Sequence, residues 1–124
     1  MITLTKAEER IMQILWSIKR GFIKDIQDEF PDPKPPYNTV STIVRVLVKK
    51  KIVSFKKYGN TYQYYPLITR EQYSQGQMGR LVEDYFNNSL KKVVNFFSEN
   101  KNLNVDEVDE VLRMLEEIKK KKDR

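Results

Sequence analysis

Tyr37-Asn38-Thr39-Val40-Ser41-Thr42-Ile43-Val44-Arg45-Val46-Leu47-Val48-Lys49-Lys50, with Ile52-Val53-Ser54-Phe55-Lys56-Lys57 close behind, is the stretch that decides the fold. Val40, Ile43, Val44 and Leu47 stand at i, i+3, i+4 and i+7, which is one apolar stripe along a helix spanning 37–50. The opposite side of that helix carries Asn38, Ser41, Thr42, Arg45 and Lys49. From Ile52 to Lys57 the pattern changes to a β-branched, alternating run that predicts a strand. Tyr58-Gly59-Asn60-Thr61 then predicts a tight turn, because Gly59-Asn60 can take positive φ. Tyr62 to Tyr65 is the return strand, closed by Pro66.

Two helices precede this unit. Thr5-Lys6-Ala7-Glu8 is a capping-box pattern and predicts a helix start at Thr5. Ala7, Ile11, Ile14, Leu15 and Ile18 follow on one face, flanked by Met12 and Trp16, and Gly21 is expected to end the helix. Ile23 to Phe30 fits a short second helix with Ile23, Ile26 and Phe30 inward. Pro31, Pro33, Pro35 and Pro36 stop it and stiffen the connection. Three helices and a two-stranded hairpin in this order make the winged helix-turn-helix plan. The fold class is therefore mainly α with a small two-stranded β-hairpin, the winged-helix domain being residues 1–69.

Residues 70–124 read as a helical domain. Thr69-Arg70-Glu71-Gln72 repeats the capping-box pattern, and Met78, Leu81, Val82, Tyr85 and Phe86 continue an apolar stripe. Leu90, Val93, Val94 and Phe97 extend it past a bend near Asn87-Asn88-Ser89. A polar stretch from Ser98 to Asn104 marks a break before a last helix with Val108, Val111, Leu112, Leu115 and Ile118, dissolving into Lys119 to Lys122. Thin helices of this kind cannot bury all of these side chains alone. A homodimer is expected, with Leu81, Tyr85, Val93, Phe97, Val108, Leu112, Leu115 and Ile118 at the dimerisation surface.

Charge says what the first domain meets. Pro33 to Arg70 holds eight Lys or Arg and no Asp or Glu, in a chain of 124 residues with 17 acids and a formal net charge of +6. Removing every acid from a helix-and-hairpin unit suits a polyanion, since each phosphate neutralised by Lys or Arg releases counterions. The major groove of duplex DNA admits one helix, read by residues near its N-terminus. Asn38, Thr39, Ser41, Thr42 and Arg45 are the candidate base readers; Tyr37, Lys49, Lys50, Lys56, Lys57, Asn60 and Thr61 are candidates for phosphate contact. Asn38 and Thr39 serve equally well as helix caps, and within Lys49-Lys50-Lys51 a cluster favoured by the helix dipole explains Lys50 and Lys51 equally well. Tyr58, Tyr62, Tyr64 and Tyr65 read as core or sheet face rather than as a stacking platform.

The same composition excludes other chemistry. The chain has no Cys, and no His. That rules out disulfides, thiolate or imidazole metal sites and Ser-His or Cys-His nucleophiles. No enzyme, cofactor or metal is implied, and Glu83-Asp84 and Asp106 to Glu110 read as solvated helix faces. Neither a signal peptide nor an apolar run long enough for membrane insertion is visible, so a cytoplasmic location is expected. The competing reading is a winged-helix adaptor that binds RNA or another protein.

Laid out in this way, the chain resembles the penicillinase and methicillin-resistance repressor family (BlaI/MecI/CopY) from about Leu4 to Lys122. Leu4 to Glu9 with Met12, Ile14, Leu15 and Trp16 is similar to the family's opening helix. Tyr37 to Val44 with Leu47 and Lys49-Lys50 is similar to its recognition helix, and Tyr62-Gln63-Tyr64-Tyr65 to the strand after its wing. The resemblance implies a dimeric repressor on a dyad-symmetric double-stranded DNA operator. It also implies, for antibiotic-responsive members, relief by cleavage at an Asn-Phe bond triggered by a membrane metallopeptidase sensor; Asn95-Phe96 matches that pair. Two departures stand out. Lys51 occupies a position where the family commonly has Gly, and a left-handed turn there costs a non-Gly residue about 1 kcal/mol. The copper-responsive branch uses C-terminal cysteines, which this chain lacks.

Overall fold

The computed structural model describes residues 2–100 and 104–123. Among the described residues six α-helices and one hairpin follow in the order α1 (Lys6–Ile18), α2 (Ile23–Asp28), α3 (Tyr37–Lys49), β1 (Val53–Tyr58), β2 (Thr61–Pro66), α4 (Arg70–Phe86), α5 (Leu90–Glu99) and α6 (Val108–Lys122). The chain divides into two compact units, Met1–Gly79 and Arg80–Arg124.

In the first unit the local signals act as their chemistry requires. The Thr5 hydroxyl accepts from the Glu8 backbone N–H at 3.1 Å, and the Glu8 carboxylate accepts from the Thr5 N–H at 2.8 Å, closing the capping box of α1. Ile11, Met12 and Leu15 of α1, Ile26 of α2, and Val40, Val44 and Leu47 of α3 are fully buried, joined by Ile52, Val53 and Tyr64. The apolar face of α1 is rotated from the expected one: Ala7 is exposed and Glu8 takes the inward position. Ser41 is likewise buried, on the core side of α3 rather than on its open side.

Gly21 does not end α1. The helix stops at Ile18 with Lys19 at φ 74°, while Gly21 forms an antiparallel bridge to Tyr64 beside β2. Its N–H donates to the Tyr64 carbonyl at 2.9 Å and its carbonyl accepts from the Tyr64 N–H at 2.8 Å. The space there is tight: a Cβ would lie 2.8 Å from Ile18 Cδ1 and 3.1 Å from Asp25 Cβ, so the Ile18 side chain would have to turn aside.

The chain leaves α3 through a left-handed turn. Lys51 has φ 65°, its N–H donates to the Val48 carbonyl, and the Ile52 N–H donates to the Leu47 carbonyl. This pair of bonds is a Schellman motif with lysine in the usual glycine place and buried Ile52 as its apolar residue. The hairpin then pairs Val53 with Pro66 through Tyr58 with Thr61. Of the two loop residues only Gly59 takes positive φ, the pattern of a type II′ turn.

The first unit extends past the expected boundary at residue 69 because the start of α4 is bound to α1. Thr69 and Gln72 form the second capping box. The buried Tyr73 ring lies 5.7 Å from Trp16 and its hydroxyl donates to Glu9 Oε2 at 2.9 Å; Trp16 Nε1 donates to the Ile68 carbonyl. Burial, then the hydrogen bond and charge of Glu9, push the Tyr73 hydroxyl up to about 12.

In the second unit α4 and α5 are separated by a full break, with Asn87 and Asn88 both at positive φ and the Ser89 hydroxyl capping α5. Ser98 and Glu99 belong to α5, and part of the expected polar break after them lies outside the described residues. A 3-10 turn at Val105–Glu107 leads into α6, where Lys119 to Lys122 remain helical instead of dissolving. Val93 and Val108 are half-buried, whereas Leu81, Tyr85, Phe97, Leu112, Leu115 and Ile118 are exposed. Among the described residues no helix is long and apolar enough to cross a membrane.

Candidate nucleic-acid interface

The open side of α3 consists of Asn38, Thr42, Arg45 and Lys49, all exposed, with Tyr37 and Thr39 exposed at its start. Sequence reasoning left Asn38 and Thr39 as caps or readers, and the geometry separates these roles. The N-cap is Pro36, and no side chain hydrogen-bonds the first turn. Neither residue is used as a cap. Thr42 Oγ1 donates to the Asn38 carbonyl at 2.8 Å, so its hydrogen is committed to the helix backbone. Toward a base edge Thr42 can offer its lone pairs or its methyl group, the latter suited to thymine. The buried Ser41 is removed from the reading face, and Asn38, Thr42 and Arg45 remain with Thr39 beside them.

Lys50, expected at a phosphate, makes an ion pair within the unit. Its Nζ donates to Glu8 Oε1 at 2.9 Å and lies 2.8 Å from Oε2, the latter outside hydrogen-bonding geometry. Glu8 is 4% exposed, so this is a buried carboxylate tied to the end of α3. Burial alone would raise its pKa; the Lys50 hydrogen bond, the Thr5 backbone and hydroxyl bonds and the Lys50 charge outweigh burial and hold it below its ordinary value. Lys50 ties the end of α3 to α1 through this pair, with its side chain still 40% exposed. Lys49 and Lys51 stay exposed.

The two wing lysines part company. Opposed residues of an antiparallel pair share a face, so Val53, Phe55 and Lys57 lie with Tyr62, Tyr64 and Pro66, while Ser54, Lys56 and Tyr58 lie with Thr61, Gln63 and Tyr65. The first face continues into the core through Val53 and Tyr64. On the second face Lys56 Nζ sits 5.5 Å from the Tyr58 ring centroid, and Phe22 meets that ring edge-on at 6.0 Å. Thr61 Oγ1 donates to the Tyr58 carbonyl, closing the turn, and Asn60 is exposed at the tip.

Of the four hairpin tyrosines assigned to core or sheet, only Tyr64 is buried; Tyr58, Tyr62 and Tyr65 are exposed, as is Phe55. Burial pushes the Tyr64 hydroxyl above its ordinary value, the Arg45 charge pulls it down, and Tyr37 and Tyr62 push it up. The Tyr64 ring meets Phe55 at 6.0 Å and Tyr62 at 6.4 Å. The joint surface is basic, with no acid between Pro33 and Arg70.

In the second unit an open groove is bounded by Val94, Phe97, Val108, Val111, Leu112 and Leu115, with Asn104 and Glu107 at its rim. Asn95 and Phe96 are exposed on α5, and the Phe96 ring meets Phe86 at 5.6 Å and Phe97 at 5.7 Å.

Comparison with known proteins places this geometry in a family. The penicillinase repressor of Bacillus licheniformis is 26% identical over 124 residues, covering 96% of this chain and 94% of that protein. The methicillin resistance regulatory protein MecI of Staphylococcus aureus strain N315 is 25% identical over 113 residues, covering 90% and 92%. A solved CopR repressor structure covers 54% of this chain and 99% of its own at 29% identity, with a TM-score of 0.45. The penicillinase repressor family model matches residues 4–117, so the chain belongs to that family of DNA-binding transcriptional repressors, which are not enzymes.

Proposed function

We propose that the chain represses transcription as a homodimer on a dyad-symmetric DNA operator. The observation that carries this reading is the open side of α3, where Asn38, Thr42 and Arg45 are exposed beside Lys49 in a segment that holds no acid. Asn38 is suited to adenine, Arg45 to guanine or phosphate, and the Thr42 methyl to thymine. Lys49 and Lys57, together with Asn60, hold the backbone and set the register.

The second unit supplies the pairing. Its apolar groove and the exposed Leu81, Tyr85, Leu112, Leu115 and Ile118 side chains form more apolar surface than a single copy covers. A symmetric partner covers it with the same surface, and two copies then present two α3 helices to two half-sites. Relief of repression follows from cutting the Asn95-Phe96 bond in α5, in answer to a membrane metallopeptidase sensor. Both residues are exposed in the single chain, and cutting there would separate α6 from the rest of the pairing surface. The protein works in the cytoplasm.

A footprint of the purified chain on the DNA upstream of its own gene tests the reading, with sedimentation at the same concentration. A symmetric protected site and a dimer are expected. A monomer protecting one asymmetric segment, or a preference for RNA over duplex DNA, would overturn it in favour of an adaptor.

A further inference from the structure

The helix-side face of the wing is more aromatic than a phosphate-binding hairpin requires. Phe55 and Tyr62 are 44% and 39% exposed, and their rings meet edge to face at 4.8 Å with 74° between the planes. Lys57 stands opposite Tyr62 on the same face. Two half-open rings beside Lys57, in a 33–70 segment without a single acid, form an apolar patch next to positive charge.

That combination matches one surface in particular. A nucleic-acid backbone alternates charged phosphates with apolar sugar C–H groups, and sugar contacts form a regular part of duplex recognition. The steep angle between the rings argues against single-stranded bases, which need ring faces stacked in series. It leaves one ring face and one ring edge, a corner that fits the rounded side of a sugar. Charge complementarity disfavours an ordinary protein partner, whose surface would have to be acidic around an apolar centre.

We propose that Phe55 and Tyr62 form a deoxyribose-contacting platform, packing on the sugars of duplex DNA while Lys57 takes a flanking phosphate. This rests on the duplex-binding reading above and adds to it a component of affinity that salt does not screen. Apolar contact releases no counterions, so its loss lowers affinity without changing the slope of log K against log salt. A sugar that covers about half of the exposed part of one ring, roughly 40 Å² at about 25 cal/mol per Å², contributes about fivefold in affinity.

The test is a salt titration of the full chain on a mixed-sequence duplex, followed by fluorescence anisotropy, with thermal melts to verify folding. Phe55→Ala and Tyr62→Thr should each weaken binding about fivefold at every salt concentration and leave the slope unchanged. Tyr62→Thr keeps a strand-forming residue at an exposed position, so it decides the matter where Phe55→Ala loosens the hairpin. Unchanged affinity in folded Tyr62→Thr overturns the platform and marks the face for a protein partner. A loss accompanied by the slope change of Lys57→Ala also overturns it, since the ring would then only position the lysine. Failure of the unsubstituted chain to bind the duplex defeats the underlying reading as well, and is thereby distinguished from either result.

Discussion

Replacing Lys51 by glycine should stabilise the DNA-binding unit. Lys51 ends α3 at φ 65° as the left-handed residue of a Schellman motif, with both characteristic hydrogen bonds formed. A side chain with a Cβ pays about 1–2 kcal/mol for that conformation. Glycine removes the cost but gives the unfolded chain more freedom, which offsets about 0.4–1 kcal/mol. The net gain is about 0.5–1 kcal/mol, which for a unit of this size raises the midpoint by about 2–8 °C. Trp16 is the single tryptophan and lies in the first unit, so its fluorescence reports the melting of that unit alone. Lys51→Ala is the control: it removes the same charge and keeps the same backbone cost. Glycine should melt well above alanine, and alanine close to lysine. Equal midpoints for glycine and alanine would refute the argument from backbone conformation.

Three further outcomes follow from contacts already described. Lys57→Ala should lower the salt slope of DNA binding by about 1, whereas Lys56→Ala, on the other face against Tyr58, should leave it unchanged; equal effects would contradict the division of faces. Lys50→Met should flatten the acid limb of stability. The Glu8 pKa is held below its ordinary value of 4.5, so its contribution is full above that pH and lost as pH falls through the folded value; without Lys50 the folded value moves back toward 4.5 and the loss shrinks. Chemical denaturation at a series of acid pH values reads this. Tyr73→Phe should cost about 1–2 kcal/mol through loss of the bond to Glu9. It should also remove an alkaline transition, because the Tyr73 contribution is full below the ordinary 10.0 and is lost as pH rises toward about 12.

What the sequence made legible was set by interactions close together along the chain. The capping boxes at Thr5 and Thr69, the apolar stripe of α3 and the Gly59-Asn60 turn are contacts within a few residues, and each forms as its local chemistry demands. The division of wing faces was written in the same pattern, since strand alternation already puts Lys56 and Lys57 on opposite sides. Other features depend on partners far away in sequence. Glu8 turns inward because Lys50 meets it, and α4 joins the first unit because Tyr73 reaches Glu9. Ser41 lies inward because it neighbours Val40 and Val44 on a helix packed from both sides, which a single stripe of large apolar residues does not reveal. In the second unit the apolar residues are plain in the sequence, but one chain leaves them exposed, so their burial belongs to an assembly rather than to local pattern.

The Glu8–Lys50 pair also limits how the recognition helix can be exchanged. Asn38, Thr42, Arg45 and Lys49 are exposed, so on the proposed reading they can be rewritten to redirect the protein to new DNA without touching the core. A graft that carried the whole helix from a relative and replaced Lys50 would strand a buried carboxylate on α1. If α3 reads DNA as proposed, its portable part is four side chains rather than a helix, and a specificity library should be drawn around those positions with Lys50 and Glu8 held constant.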